Sequence, residues 1–277
     1  MSTNDVTAVI VTFNSEHKIF SCLDSIPIDT KVIIVENSNN FSFKKSVETH
    51  RKNVECFLLK NNEGYAFANN YGLKKVNTKY ALILNPDVRL FNNTIDNFIL
   101  TASKIRSFWI IGPNQNLNNK KTKIDKEIYE TKDIKGYAMF LNIDKFKNKF
   151  FDDKFFLYFE EIDLCKQVKK KGGSIFVDKN ILLVHDGGSS VKIKSFHELE
   201  KNRNWHWMWS SFYFHKKHKG FLLAFIIIFP KLFTIIFKIL IFTLFQQEQQ
   251  KEIYICRLSG IFNSLLGKKS WYRPKLN

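Results

Sequence analysis

The stretch YALILNPDVRL, residues 80–90, ends a run of strand-forming apolar residues at Asn85-Pro86-Asp87. Asn, Pro and Asp all favour turns, so a turn accounts for part of this pattern. A carboxylate fixed at the end of a buried strand would also suit a hard divalent cation that binds substrate phosphates. Asp87 is therefore a candidate metal ligand.

Two other groups could act with Asp87. His185 ends the predicted strand ILLVH, and as a second ligand it would favour manganese over an ion bound by oxygen alone, although a histidine after a strand also has structural roles. Glu160, Glu161 and Asp163 place three acids within four residues. Their mutual repulsion should raise at least one pKa and suit that carboxylate to general-base catalysis near neutral pH. Alternatively, these acids only stabilise the N-terminus of a helix.

The elements that must position these groups alternate along the first 115 residues. Short runs rich in Val, Ile and aromatic residues predict strands, and the segments between them predict helices. The predicted strands are 6–12, 31–35, 54–59, 80–85 and 108–112, and the predicted helices are 16–25, 65–76 and 92–105. This alternation predicts an α/β fold with a mixed, mostly parallel sheet covered by helices.

Polar clusters follow three of the predicted strands. They are Thr12-Phe13-Asn14, Glu36-Asn37-Ser38 and Asn85-Pro86-Asp87. Ligands of such sheets bind at the carboxyl ends of the strands, so we expect these clusters to converge. The segment NNEGYAFANNYGL, residues 61–73, adds glycines for close approach and asparagines for hydrogen bonds at a helix start, where anions bind well. No G-x-G-x-x-G or Walker pattern is present, which disfavours dinucleotides and P-loop chemistry.

The composition narrows the possible partners. The net charge is +17, and residues 201–277 contain 13 Lys/Arg against 2 Asp/Glu. Such a surface suits nucleic acid, anionic lipid or phosphorylated ligands, but the charge accompanies lipid-like apolarity and no nucleic-acid motif, so we expect no nucleic-acid partner. The cysteines are scattered without metal-binding spacing, which fits a reducing compartment. The N-terminus is typical of a first strand and not of a signal peptide.

Residues 198–277 form a basic, apolar tail that we expect to be helical and to associate with a membrane. Its most apolar stretch, 220–245, is interrupted by Pro230, Lys231 and Lys238. On a helix the two lysines share one narrow polar stripe, which favours a helix lying in the plane of an anionic membrane surface. A single transmembrane helix at 221–245 and a buried protein interface remain the alternatives.

Six motifs occur together in one order: VTFNS, VIIVENSN, NNEGYAFANNYGL, YALILNPDV, FFLYFEEIDLC and VHDGGSS. In order and spacing they resemble the family 2 inverting glycosyltransferases of GT-A fold, particularly the bacterial rhamnosyltransferase-like branch. The resemblance covers about residues 5–190 and implies a Rossmann-like catalytic domain over residues 1–197. It also implies a nucleotide-diphospho-sugar donor, a divalent metal (Mn or Mg), and single displacement with inversion at the anomeric carbon.

The resemblance assigns roles to individual residues. The nucleotide-sugar pocket would comprise Thr12, Asn14, Glu36, Asn37, Gly64, Asn69, Asn70, Asn85 and Asp87. Asn85 replaces the first acid of the Asp-x-Asp motif of the family, so the metal would depend on Asp87 and His185. Glu161 takes the place of the aspartate that acts as general base, and Asp163 is its rival for that role.

The expected activity is transfer of a sugar, such as rhamnose, to a lipid-linked or cell-envelope polysaccharide acceptor. The tail would hold the enzyme at the cytoplasmic face of the inner (plasma) membrane as a peripheral protein. The alternative is a non-catalytic nucleotide-sugar- or membrane-binding protein on the same scaffold.

Overall fold

The computed structural model describes residues 2–105, 107–114, 126–187 and 195–273. These residues fall into two compact units. The first lies within residues 2–152 and 161–187, and the second within residues 153–160 and 195–273. The predicted domain boundary at residue 197 stays a prediction.

The first unit is built on a mixed sheet. The strands are β1 (Val6–Thr12), β2 (Lys31–Glu36), β3 (Val54–Leu58), β4 (Tyr80–Leu84), β5 (Val88–Leu90), β6 (Phe108–Gly112), β7 (Ile128–Glu130), β8 (Ala138–Asn142), β9 (Ser174–Asp178) and β10 (Leu183–His185). In the described residues, eight of them form one sheet in the order β3-β2-β1-β4-β8-β6-β9-β7, and β10 pairs with β5. The strands β3, β2, β1 and β4 are mutually parallel, whereas β8 runs antiparallel to β4 and β6. The predicted mixed, mostly parallel sheet is confirmed.

Helices cover this sheet. They are α1 (Glu16–Asp24), α2 (Phe41–His50), α3 (Tyr65–Leu73), α4 (Thr94–Lys104) and α5 (Glu160–Lys170). The three helices predicted within the first 115 residues are present with shorter ends. The sequence pattern did not predict α2, because only Phe43 and Val47 of that helix are buried.

The core explains why the carboxyl edge of the sheet is rigid. Every residue of β1 and β4 is buried, so both strands are fixed from their two faces. The helix α3 packs closely on β1 and β2, since a Cβ on Gly72 would lie 2.7 Å from Val9 Cγ1 and 3.1 Å from Val35 Cγ2. Side chains at the ends of β1, β2 and β4 are therefore held by well-packed elements.

The second unit contains three long helices: α6 (Phe196–Lys219), α7 (Phe221–Leu244) and α8 (Glu248–Leu265). The sequence pattern did not predict α8 as a separate helix. Gly220, with φ 84°, separates α6 from α7. The helices α6 and α8 approach closely at Gly260, where a Cβ would collide with the carbonyl oxygen of Trp205. A short aromatic segment packs on α6, where Phe155 contacts Tyr213 and the Leu157 carbonyl accepts a hydrogen bond of 2.9 Å from Ser210 Oγ.

The helix α7 has two apolar faces. Among the described residues it is the one helix long and apolar enough, by length and composition, to cross a membrane. Ala224, Ile228 and Ile235 are buried in a cluster that includes residues of α6 and α8. Large apolar side chains on the opposite face are exposed, among them Phe229, Phe233, Ile236, Phe237 and Leu240. One face is therefore covered by protein, while the other is open along the length of the helix.

Candidate active site

The carboxyl ends of three neighbouring parallel strands form one edge of the sheet. Thr12 pairs with Glu36 across β1 and β2, and Ile10 pairs with Leu84 across β1 and β4. Adjacent strands lie about 4.8 Å apart, so the residues that follow them are close neighbours. The structure thus brings the three predicted polar strand ends to one edge.

Glu36 is the most enclosed acid of this edge. One of its carboxylate oxygens accepts a hydrogen bond from Thr12 Oγ1, and the other accepts hydrogen bonds from the Ser38 backbone N–H (2.8 Å) and hydroxyl. Burial raises the pKa of Glu36, and these hydrogen bonds offset part of the rise. The longer glutamate side chain is therefore held in one position, where its remaining lone pairs can accept a hydrogen bond from a ligand.

Asn37 connects this edge to the start of α3. Its Nδ2 donates to the Gly64 carbonyl at 3.2 Å, and its Oδ1 accepts from the Glu63 backbone N–H at 3.2 Å. Gly64 precedes α3 with φ 91°, a left-handed conformation that favours glycine. Asn14, after β1, also has a positive φ of 50°, which asparagine tolerates better than most residues.

The two asparagines inside α3, Asn69 and Asn70, differ in their hydrogen bonds to the protein. Asn70 exchanges two hydrogen bonds with the backbone of Phe151, at 2.8 and 3.0 Å. Asn69 Nδ2 donates to the Tyr65 carbonyl at 2.9 Å, whereas its buried Oδ1 has no hydrogen-bond partner in the described chain. Their assignment to the nucleotide pocket stays a prediction.

Asp87 is a buried acid of the first unit that follows β4. The chain turns at Asn85-Pro86, with the Val88 backbone N–H donating to the Asn85 carbonyl at 3.1 Å. The Asp87 side chain is only 1% exposed, and neither carboxylate oxygen has a hydrogen-bond partner within the described residues. A buried carboxylate without hydrogen bonds is costly, so its environment is suited to a bound cation.

His185 lies beside Asp87. The strands β5 and β10 pair antiparallel with His185 opposite Val88, which places His185 Nε2 3.5 Å from Asp87 Oδ1. The imidazole ring stacks on Tyr137 with ring centroids 4.3 Å apart. The pairing of β10 with β5 therefore brings together two residues that are 98 positions apart in the sequence.

The pair fits a divalent cation. A carboxylate oxygen and an imidazole nitrogen suit manganese, and a carboxylate also suits magnesium. Across the described ranges, no group of three or more His, Cys, Asp and Glu side chains is arranged to hold a metal ion. Water and the phosphates of a substrate would therefore have to supply the other ligands, as is common for magnesium sites.

Glu161 and Asp163 have different environments on α5. Burial raises the pKa of Glu161, the charge of Asp133 adds to the rise, and the backbone N–H groups of residues 161 and 162 offset part of it. The cause is thus chiefly burial, not the repulsion among neighbouring acids that the sequence suggested. Asp163 is fully buried and accepts a hydrogen bond of 2.6 Å from Gln167 Nε2. Glu161 is the more accessible of the two.

Sequence reasoning missed three residues that connect these groups. The Tyr65 hydroxyl lies 2.9 Å from Asn85 Oδ1 and 3.0 Å from the Gly136 carbonyl oxygen. Tyr137 accepts a hydrogen bond of 2.9 Å from the Asn85 backbone N–H. Tyr65 lies within a quoted motif, but Gly136 and Tyr137 carry no local signal, because the pairing of β8 with β4 brings them to the site.

Solved structures share this architecture. The mannosyltransferase PcManGT from Pyrobaculum calidifontis, solved with GDP-Man and Mn2+, is similar over 96% of this chain and 88% of its own, with a TM-score of 0.58 and 11% identity. TarS from S. aureus is similar over 77% of this chain and 44% of its own, with a TM-score of 0.54 and 13% identity. The fold is that of the GT-A glycosyltransferases.

The sequence defines the family. Residues 7–165 match the model of Glycosyl transferase family 2, so the chain belongs to this family and is a transferase. A teichoic acid poly(glycerol phosphate) polymerase from Staphylococcus epidermidis is 30% identical over 104 residues. The match covers 35% of this chain but only 14% of that relative.

Proposed function

We propose that the protein is an inverting glycosyltransferase that moves a sugar from a nucleotide-diphospho-sugar to a hydroxyl group of a cell-envelope polymer or its lipid-linked precursor. The observation that carries this proposal is the buried carboxylate of Asp87, which has no hydrogen-bond partner in the described residues and lies beside His185, at the edge where Glu36 and Asn37 also lie. In this proposal the cation site lies beside the nucleotide site, which is the combination that a sugar diphosphate requires.

Glu161 acts as the general base in this proposal. It takes the proton from the acceptor hydroxyl while that oxygen attacks the anomeric carbon of the donor. The bond from the anomeric carbon to the phosphate oxygen breaks, and the nucleoside diphosphate leaves with the electron pair. Attack opposite the leaving group inverts the anomeric configuration. The raised pKa and partial exposure of Glu161 favour it over the enclosed Asp163.

Asp87 and His185 would hold a manganese or magnesium ion. When bound, the ion would neutralise the charge of the diphosphate leaving group. The other pocket residues bind the donor without the metal: Glu36 accepts hydrogen bonds from the nucleoside, and Asn85 donates to a phosphate or sugar oxygen. The Mn2+ and GDP-Man in the similar mannosyltransferase support this assignment.

One comparison supports a cell-envelope acceptor. The S. epidermidis relative is named as a teichoic acid polymerase, and it aligns with 35% of this chain. The six-motif resemblance to the rhamnosyltransferase-like branch makes rhamnose the first donor sugar to test. A lipid-linked acceptor also gives the apolar tail a role, because the acceptor would lie at a membrane.

The helix α7 supports peripheral attachment to the cytoplasmic face of the plasma membrane. A spanning helix would meet lipid around its circumference, but α6 and α8 cover one face of α7. The open face is apolar, whereas Lys231 and Lys238 lie three or four residues from the buried Ile228 and Ile235, on the covered side of the helix. The basic end of α6, with Lys216, Lys217, His218 and Lys219, directly precedes α7. An in-plane position on an anionic surface fits these features.

Transfer by the purified full-length chain tests the proposal. The chain would be incubated with a panel of nucleotide sugars, manganese or magnesium, and lipid-linked acceptors, and the products would be identified by mass spectrometry. We expect one donor to give a glycosylated acceptor with inverted anomeric configuration by NMR. Donor binding without transfer to any acceptor would contradict the proposal and support a non-catalytic binding protein.

A further inference from the structure

Tyr65 connects two parts of the site that are distant in the sequence. It is the first residue of α3, and its hydroxyl lies 2.9 Å from Asn85 Oδ1 and 3.0 Å from the Gly136 carbonyl oxygen. Asn85 belongs to the turn that carries Asp87, and Gly136 directly precedes Tyr137 and β8. One hydroxyl group therefore lies between the strand end of β4 and the segment that leads into β8.

The segment formed by Gly136 and Tyr137 contacts three other groups of the site. The Tyr137 carbonyl accepts a hydrogen bond of 2.9 Å from the Asn85 backbone N–H. The Tyr137 ring stacks on His185. A Cβ on Gly136 would lie 3.3 Å from Glu161 Cβ, so the Glu161 side chain packs directly on Gly136. A shift of this segment would move the base and the metal-side histidine together.

The contact also orients the Asn85 amide. With its Oδ1 held by Tyr65, the Asn85 side chain offers its NH2 group, which has no partner in the part of the chain that the structure describes. An NH2 group can donate to a phosphate or sugar oxygen, whereas the aspartate of the usual motif can only accept. The tyrosine hydroxyl is thus suited to fix which end of the amide meets the donor.

We propose that Tyr65 is a positioning residue for sugar transfer. Its one hydroxyl hydrogen is shared between Asn85 Oδ1 and the Gly136 carbonyl oxygen, so the same group restrains the amide that meets the donor and the segment that packs on Glu161. This inference rests on the proposed function, and it adds to that function a residue that acts through Asn85 and Gly136.

The substitution Tyr65→Phe tests the inference because it removes only the hydroxyl oxygen. We expect kcat/KM to fall about tenfold, the scale of one neutral hydrogen bond. The donor KM should rise because Asn85 loses its restraint, and kcat should fall because Gly136 no longer fixes Glu161. A hydroxyl that only stabilises the fold would lower the melting temperature and leave both constants unchanged.

Tyr71→Phe is the matched control. Tyr71 lies on the same helix, its ring contacts Phe57, and its hydroxyl makes no hydrogen bond in the described residues. We expect this variant to retain the wild-type KM and kcat. Equal constants for Tyr65→Phe and Tyr71→Phe would overturn the inference.

A double-mutant cycle with Asn85→Ala tests whether Tyr65 acts through Asn85. In the Asn85→Ala background, the loss in kcat/KM from Tyr65→Phe should shrink by about threefold or more, because contacting residues are not additive. The same loss in both backgrounds would overturn the action through Asn85.

Nucleotide binding separates this inference from the proposed function. Calorimetry with UDP, GDP, CDP and dTDP in the presence of Mn2+ would be run on the wild-type chain and both tyrosine variants. A wild-type chain that neither binds nor transfers would overturn the proposed function and this inference with it. A wild-type chain that transfers at the rate of Tyr65→Phe would overturn the inference alone.

Discussion

The protonation of Glu161 should set the acid side of the pH dependence of transfer. Burial and the charge of Asp133 raise its pKa. Only the carboxylate form can take a proton, so the rate should rise as the pH rises through this pKa. We expect the acid limb of kcat/KM against pH to lie above about 4.3, the ordinary value for glutamate.

Two variants, compared by the same pH measurement, show whether Glu161 or Asp163 is the general base. The substitution Glu161→Gln should abolish the activity and with it the acid limb of the pH profile. Asp163→Asn should keep the acid limb, with a lower maximum of kcat/KM. An acid limb that survives Glu161→Gln would contradict the assignment and favour Asp163.

Local sequence signals were sufficient for some residues of the site and insufficient for others. Asp87 and Glu36 were candidates because each is a polar residue after an apolar run, and parallel strands place such residues on one edge. His185 was a candidate for the same local reason, but it reaches Asp87 through the antiparallel pairing of β10 with β5. Tyr137 and Gly136 could not be found, because their position depends on an antiparallel strand that joins the sheet from more than 50 residues further along the chain. Contacts between residues so distant in the sequence produce no periodic pattern in the local sequence.

The helix α7 should bind a vesicle surface through its open face. We expect the wild-type chain to float with vesicles containing phosphatidylglycerol more than with neutral vesicles. The double substitution Phe233→Glu and Phe237→Glu should abolish flotation, because both side chains are exposed on the open face. Replacing Lys231 and Lys238 by alanine should weaken binding to anionic vesicles. Each lysine should contribute about 1 kcal/mol to the salt-sensitive part of the binding free energy.

Phe41→Glu is the control for flotation. Phe41 is an equally exposed phenylalanine at the start of α2, in the first unit. Flotation should be unaffected by this change. Unchanged flotation of the Phe233/Phe237 variant would contradict the in-plane model. Resistance of the bound wild-type chain to alkaline extraction would also contradict it and favour a spanning helix.

The close approach of α6 and α8 makes Gly260 sensitive to substitution. Gly260→Ala would place a methyl group against the Trp205 carbonyl, and such overpacking costs about 1–3 kcal/mol. Alanine is the better helix former by about 1 kcal/mol, so at an open position the same change would stabilise the protein. We expect a lower melting temperature by calorimetry.

Gln249→Ala provides the comparison for Gly260→Ala, because Gln249 is exposed on the same helix. It should leave the melting temperature nearly unchanged. An unchanged or higher melting temperature for Gly260→Ala would show that the two helices can separate without cost.

The ends of elements with a strong apolar pattern were predicted within a few residues. The strands β1 and β4 are continuous apolar runs because they are buried on both faces. In contrast, α8 begins with a polar run, and two of its three buried residues, Gly260 and Ser264, are small. Its packing depends on small size at a close contact, which hydrophobic patterning does not reveal.

Charge is distributed unevenly over the whole chain. Of the net charge of +17, +11 lies in residues 201–277, where there are 13 basic and 2 acidic residues. The predicted nucleotide and metal groups lie in the first unit, and the basic and apolar helices lie in the second. Composition could predict this division of chemistry along the sequence. The mixed strand order and the pairing of β10 with β5 required the structure.

In the proposed mechanism Asp87 and Glu161 have separate tasks: Asp87 serves donor binding and Glu161 removes the proton. Transfer and donor binding by calorimetry should be measured on Asp87→Ala, Glu161→Gln and the control Glu55→Gln, an exposed acid on β3. We expect Glu161→Gln to bind the donor with wild-type affinity and to lose roughly 100- to 10,000-fold in transfer rate. We expect Asp87→Ala to lose both donor binding and transfer, and Glu55→Gln to keep both. Full turnover by Asp87→Ala or by Glu161→Gln, with the fold intact by circular dichroism, would contradict the account.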